Sequence, residues 1–119
     1  MTIDALKNHI PVDLTQLRAF TDGDKDMEKE FISVFVTQSD KNLQALSCCC
    51  IDGKCDAWVE AAHMFKGGAA AIGAKALSNL CSEAQNMPEI TAAARTMLFR
   101  KIDAEYAKVN DYLRALGSL

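Results

Sequence analysis

Apolar residues recur at three- and four-residue steps along most of this chain, the mark of helices that each bury one face. The clearest stripe runs Cys55, Trp58, Ala62, Phe65, Ala69, Ile72 and predicts a helix over about 54–71. Leu77, Leu80, Cys81 and Ala84 predict a second over about 74–86. Ile90, Ala94, Leu98, Ile102, Tyr106, Val109, Leu113 and Leu116 predict a third over about 89–116. Upstream, Met27, Phe31, Val34, Phe35, Ala45, Leu46 and Cys49 place a long helix over about 25–50. Ile32, Val36 and Leu43 form another stripe on that helix, turned about 110° from the first at helical pitch. It reads either as a face toward a neighbouring helix or as a patch for a partner.

The residues between these stripes are helix punctuation. In Val12-Asp13-Leu14-Thr15-Gln16-Leu17, Asp13 can cap, Gln16 can return the hydrogen bond and Val12 can staple onto Leu17, which predicts a short helix over about 14–20. Thr21-Asp22-Gly23-Asp24 reads as a turn with Asp22 or Asp24 as the next cap and acids in the first helical turn. Asp52-Gly53 makes a tight connection, Gly73 breaks the helix before it, Pro88 suits a first turn and Gly117 a stop. Short links between long amphipathic helices imply antiparallel neighbours. The expected fold is all-α: an up-and-down antiparallel four-helix bundle with a short additional N-terminal helix, forming a single domain over 1–119.

Composition removes several classes of function. A net charge of −3 without a Lys/Arg stripe leaves no electrostatic footprint for nucleic acid. No apolar run nears the ~18 residues of a membrane span, and no basic-then-apolar leader opens the chain. A cytoplasmic protein is expected. The five cysteines, Cys48, Cys49, Cys50, Cys55 and Cys81, offer no second ligand pair for zinc. They are expected to be reduced and to fill core positions near a helix end, with the triplet prone to air oxidation. His9, ahead of Ile10-Pro11, lies in an N-terminal tail and is expected to have no role.

Chemistry concentrates at His63-Met64-Phe65-Lys66-Gly67-Gly68. Two glycines interrupt an otherwise strong helix, Asp56–Ala62 before them and Ala69–Ala71 after, and each costs about 1 kcal/mol relative to Ala. His63 points about 130° away from the apolar seam, so it faces solvent or a groove and not the core. Lys66 at i+3 and Gly67 at i+4 adjoin it, with Glu60 at i−3 on the same outer side. A neutral imidazole is a competent nucleophile toward phosphorus near neutral pH. Lys66 can screen the transferring phosphoryl oxygens, and the bare backbone at Gly67 and Gly68 would admit a partner's active site. Ser47 and Ser78 stand in no nucleophile motif, and no Gly-rich loop would hold ATP.

The run Ala62-His63-Met64-Phe65-Lys66-Gly67-Gly68-Ala69, followed by Ile72-Gly73-Ala74, Leu77 and Cys81, resembles the histidine-containing phosphotransfer domain of multistep two-component phosphorelays. That family's pattern runs A-H-x-L-K-G-S, a few residues, G-A, x2, L, x3, C. The likeness extends more weakly over about 12–116 through Asp13, Gly23-Asp24, Phe35, Leu43 and Leu46. It implies a four-helix bundle with an exposed histidine, His63 as the phosphorylated residue, Lys66 as the assisting cation and Gly67 as the small residue that gives access. Phosphoryl groups would pass between receiver domains, of response regulators and of a hybrid sensor histidine kinase. The Mg²⁺ would belong to the receiver, and this chain would carry no cofactor or metal of its own. It would be a monomeric carrier with no autonomous kinase activity. Two departures stand out: Phe65 replaces Leu, and Gly68 stands where Ser is common, removing a hydroxyl near the phosphate. Leu14, Leu17, Ile32, Val36, Leu43 and Gly68 are the candidates for a docking surface, with packing against a neighbouring helix the alternative for Ile32, Val36 and Leu43. The alternative is a helical adaptor or inhibitor that binds receiver or kinase domains without accepting phosphate.

Overall fold

The computed structural model describes residues 10–87 and 91–117, and all regular structure among them is helical. The elements are α1 (Thr15–Thr21), α2 (Lys25–Cys48), α3 (Asp56–Ala71), α4 (Lys75–Gln85) and α5 (Ala92–Ala115). Helix α3 packs on α2 and α4, and α5 packs on α4 and α2, which closes a ring of four; α1 lies against α2. This is the helical bundle expected from periodicity. His9, Pro88 and Ile90 lie outside the described residues.

Side chains set several helix ends. Asp24 Oδ1 accepts the Met27 N–H at 3.0 Å, and Asp26 and Glu28 fill the first turn of α2. Acids there meet the positive end of the helix dipole. Asp13 Oδ1 accepts from the Thr15 hydroxyl at 2.6 Å and the Thr15 N–H at 3.0 Å. These two bonds hold its carboxyl below the usual range. Leu14 is the residue at the cap position of α1, without a side-chain bond, so Asp13 acts one residue before the position expected of it. Thr91 Oγ1 accepts the Ala94 N–H at 3.1 Å and starts α5.

The inner face of α3 is Trp58, Ala61, Ala62, Phe65 and Ala69, continued by Ile72, all buried. Leu77, Cys81 and Ala84 of α4 and Leu98, Ile102, Tyr106, Val109 and Leu113 of α5 face them. Leu116 is 45% exposed because it already caps the end of α5, so the seam stops at Leu113. Trp58 Nε1 donates to the Ala84 carbonyl at 2.9 Å. Arg95 is buried as well, with its guanidinium 5.6 Å from the Trp58 ring centre and Nη1 donating to the Ile51 carbonyl at 2.7 Å.

Helix α2 buries Phe35, Leu46 and Cys49 of its expected stripe but not Met27, Phe31 or Val34. Its buried face runs Ile32, Phe35, Ser39, Asn42, Leu46 and then Cys49, while Met27, Phe31 and Val34 are 40–55% exposed. Two of the inward positions are polar, so hydrophobicity alone marks the buried face incompletely.

Gly73 joins α3 to α4 at φ 78°, and the Asp13 N–H donates to its carbonyl at 2.9 Å. A Cβ there would overlap the Asp13 carbonyl. Backbone handedness and close approach both require glycine. Gly73→Ala is expected to lose about 2–4 kcal/mol of stability, seen as a lower urea midpoint with an unchanged slope.

Candidate functional site

His63 sits near the middle of α3, where rigid helix on both sides fixes its direction. Its neighbours Ala62 and Phe65 are fully buried, and the imidazole, on the opposite side, is exposed. Lys66 follows one turn later, half-buried along its length, and its carbonyl accepts the Ser78 hydroxyl at 3.3 Å. Among the described residues no carboxylate lies within ion-pair distance of its ammonium. His63 and Lys66 therefore share one outer strip of α3, with an unneutralised positive charge beside the ring.

The two glycines differ in their surroundings. A Cβ on Gly67 would meet nothing within 4 Å, and Gly67 is exposed on the Lys66 side. A Cβ on Gly68 would touch the Phe35 ring at 3.5 Å, an ordinary contact. Neither glycine is demanded by the packing of this chain, unlike Gly73. Each still costs the helix about 1 kcal/mol.

Gln85, in the last turn of α4, escaped the sequence reading. Its Nε2 lies 3.1 Å from His63 Nδ1. With the amide so turned, Gln85 Oε1 is buried without a partner, an arrangement that typically costs about 1–3 kcal/mol. Half a turn of the amide would instead bring Oε1 to Nδ1, where it accepts if Nδ1 carries the ring proton, and would put the Nε2 amino group in the unpartnered position. The lone pair then falls on Nε2, which has no hydrogen-bond partner among the described residues. Gln85 thereby couples amide orientation to imidazole tautomer.

Beside this strip, α1, α2 and α3 enclose an apolar groove of about 430 Å³. Phe20, Phe31, Val34 and Met64 line it and are 69%, 43%, 55% and 52% exposed. Gly68 forms part of its floor, and Met64 adjoins His63 in the chain, so groove and imidazole are neighbours. The expected docking residues are placed otherwise. Leu14, Leu17 and Ile32 are buried in the core, because α1 folds its apolar side inward and α2 turns Ile32 toward the bundle axis. Val36 and Leu43 are half-buried and pack against that core. Of that set, Gly68 and the edge of Leu17 line the groove.

Among the described residues no group of three His, Cys, Asp or Glu side chains could hold a metal ion, and no helix is long and apolar enough to cross a membrane.

The imidazole, in the middle of a helix and turned outward with a cation one turn away, is open to solvent. The class that the fold defines is that of a helical bundle domain. The family model described as Hpt domain matches residues 30–117, and the chain belongs to this family. Hpt domains are phosphocarriers rather than kinases, with a histidine phosphotransfer role in phosphorelays, where they interact with receiver domains. Neither the curated proteins nor the solved structures contain a significant match to the chain.

Proposed function

We propose that His63 accepts a phosphoryl group from the aspartyl phosphate of one receiver domain and passes it to the aspartate of another. The observation that carries this reading is the exposed imidazole whose Nδ1 is held by Gln85 while Nε2 is unengaged. In the productive tautomer Nδ1–H donates to Gln85 Oε1 and the Nε2 lone pair attacks phosphorus. The P–N bond forms as the P–O bond to the aspartate breaks, and the carboxylate leaves. The phosphorylated ring is then cationic at Nδ1–H, and the same Gln85 oxygen stabilises it. Reversal onto a second aspartate uses the same contacts. We place the Mg²⁺ of this exchange on the receiver, and the apolar groove beside Met64 as the seat of the receiver's docking face. The receivers fitting this role belong to a hybrid sensor kinase upstream and a response regulator downstream.

Lys66 stands one turn from the nucleophile, where its charge can offset that of the transferring oxygens. Lys66→Ala is expected to slow transfer about 10- to 100-fold, because an exposed cation is partly screened by solvent. Its thermal midpoint should stay close to that of the parent, which separates a chemical role from a structural one.

The direct test incubates the chain with a phosphorylated receiver domain. Acid-labile, alkali-stable phosphate should move onto the chain, and ATP alone should leave it unlabelled. Receiver binding without any transfer of label would make the chain an adaptor and overturn this reading.

A further inference from the structure

Gln85 meets His63 from the last residue of α4. Helix ends fray, because the final four carbonyls have no partner within the helix. Ala84, the residue before Gln85, has such a carbonyl. The N–H four residues on would belong to residue 88, which is proline and has none. Trp58 Nε1 donates to this oxygen instead, from inside the bundle, at 2.9 Å. Among the described residues no backbone N–H from a turn or loop bonds it.

The Ala84 carbonyl and the Gln85 nitrogen belong to one planar peptide group. Fixing the oxygen therefore fixes the plane from which the Gln85 side chain projects. Trp58 and His63 stand five residues apart on α3, which at helical pitch turns them about 140° from each other. The end of α4 thus straddles α3. Its Ala84 carbonyl is held on the inner side, and its Gln85 amide meets the imidazole on the outer side. The indole is itself fixed. It is fully buried, and the Arg95 guanidinium lies over its ring, 5.6 Å from the centre. Arg95 is held in turn by the Ile51 carbonyl, which accepts from Nη1 at 2.7 Å.

We infer, on the roles given above to His63 and Gln85, that Trp58 is a positioning residue for phosphoryl transfer. Its indole N–H, through the Ala84 carbonyl, holds Gln85 at the height of His63 and so keeps the ring proton on Nδ1. Trp58 acts from the core, and its effect on the imidazole passes through Gln85. A large apolar side chain would fill the same volume, but only an N–H donor satisfies the carbonyl.

The test reads the imidazole directly, by ¹⁵N resonance of the full chain at a pH where the ring is neutral. Trp58→Phe keeps an aromatic ring and removes the donor. It should lower the share of His63 rings protonated on Nδ1. Gln85→Ala should lower that share to the same level, and adding Trp58→Phe to it should change nothing further. Transfer from a phosphorylated receiver should slow about tenfold in Trp58→Phe, with receiver affinity unchanged. Val109→Ala, at a fully buried position of α5, is the control for a weakened core and should keep the parental tautomer and rate. Should Trp58→Phe not fold, the converse measurement decides. The chain holds one tryptophan, so its indole N–H gives a single proton resonance. In Gln85→Ala that resonance should move and exchange faster with water. A parental tautomer share in folded Trp58→Phe, or an indole resonance indifferent to Gln85→Ala, would overturn the inference. Neither readout involves phosphate, so each is independent of whether His63 accepts a phosphoryl group.

Discussion

His63→Gln is expected to take up no phosphate from any receiver, with the fold intact. Glutamine keeps a polar side chain of similar length, but its amide nitrogen has no available lone pair, so no P–N bond can form. The imidazole is exposed on a helix whose inner face is closed by Ala62 and Phe65. A surface exchange of this kind changes stability by about 0.5 kcal/mol or less. Label transfer from a phosphorylated receiver should fall to background while the circular dichroism melt hardly moves. His9→Gln is the matched control and should label like the parent. Label on the His63→Gln chain would show that another side chain is the acceptor. The contrast with Lys66→Ala is one of kind: removing the nucleophile ends the reaction, whereas removing a screening charge slows it.

What the sequence disclosed depended on whether chemistry and burial followed the same residues. On α3 they did. Trp58, Ala62, Phe65 and Ala69 are apolar and inward, so the phase of the helix, and with it the outward direction of His63, could be read directly. On α2 the buried stripe includes Ser39 and Asn42, while Phe31 and Val34 face outward. Hydropathy therefore marked the buried face of that helix incompletely, and of the two readings of the Ile32 stripe Ile32 itself takes the one toward the bundle. Gln85 was hidden for another reason, since nothing in its own neighbourhood marks it. Its place follows only from the antiparallel return of α4. His63 lies eight residues before the end of α3 at Ala71, and Gln85 ten residues after the start of α4 at Lys75. At ~1.5 Å per residue those are similar heights on adjacent helices. Arg95 could not be read either, because its burial depends on a Trp58 ring and an Ile51 carbonyl more than thirty residues away in the chain. The glycines show the same limit. Gly73 is required by the Asp13 backbone, whereas Gly67 and Gly68 have room for a methyl group, and composition alone does not distinguish them.

Phe31→Asp combined with Val34→Asp is expected to weaken receiver binding about thirtyfold or more, and transfer at low receiver concentration with it. Single exposed hydrophobics are ordinary on protein surfaces, but Phe20, Phe31, Val34 and Met64 gather in one groove next to the imidazole. Phe20 and Phe31 also meet edge to face at 5.3 Å, which fixes both rings before any partner arrives. A preordered apolar patch loses little side-chain entropy on docking. Burying a phenylalanine side chain contributes about 1.5–3 kcal/mol, and carboxylates left unpaired in such a contact would add the cost of removing their charge from water. Titration calorimetry against the unphosphorylated receiver should show the weakening, with little change when salt is raised, since the lost contact is apolar. The chain itself should remain folded, because both positions are already exposed. Ile32→Ala gives the opposite signature: at 0% exposure it should cost about 2–5 kcal/mol of stability. Any folded fraction of that variant should still bind with parental affinity. Parental affinity in the double aspartate variant would place docking on a face other than this groove, even if His63 remains the acceptor.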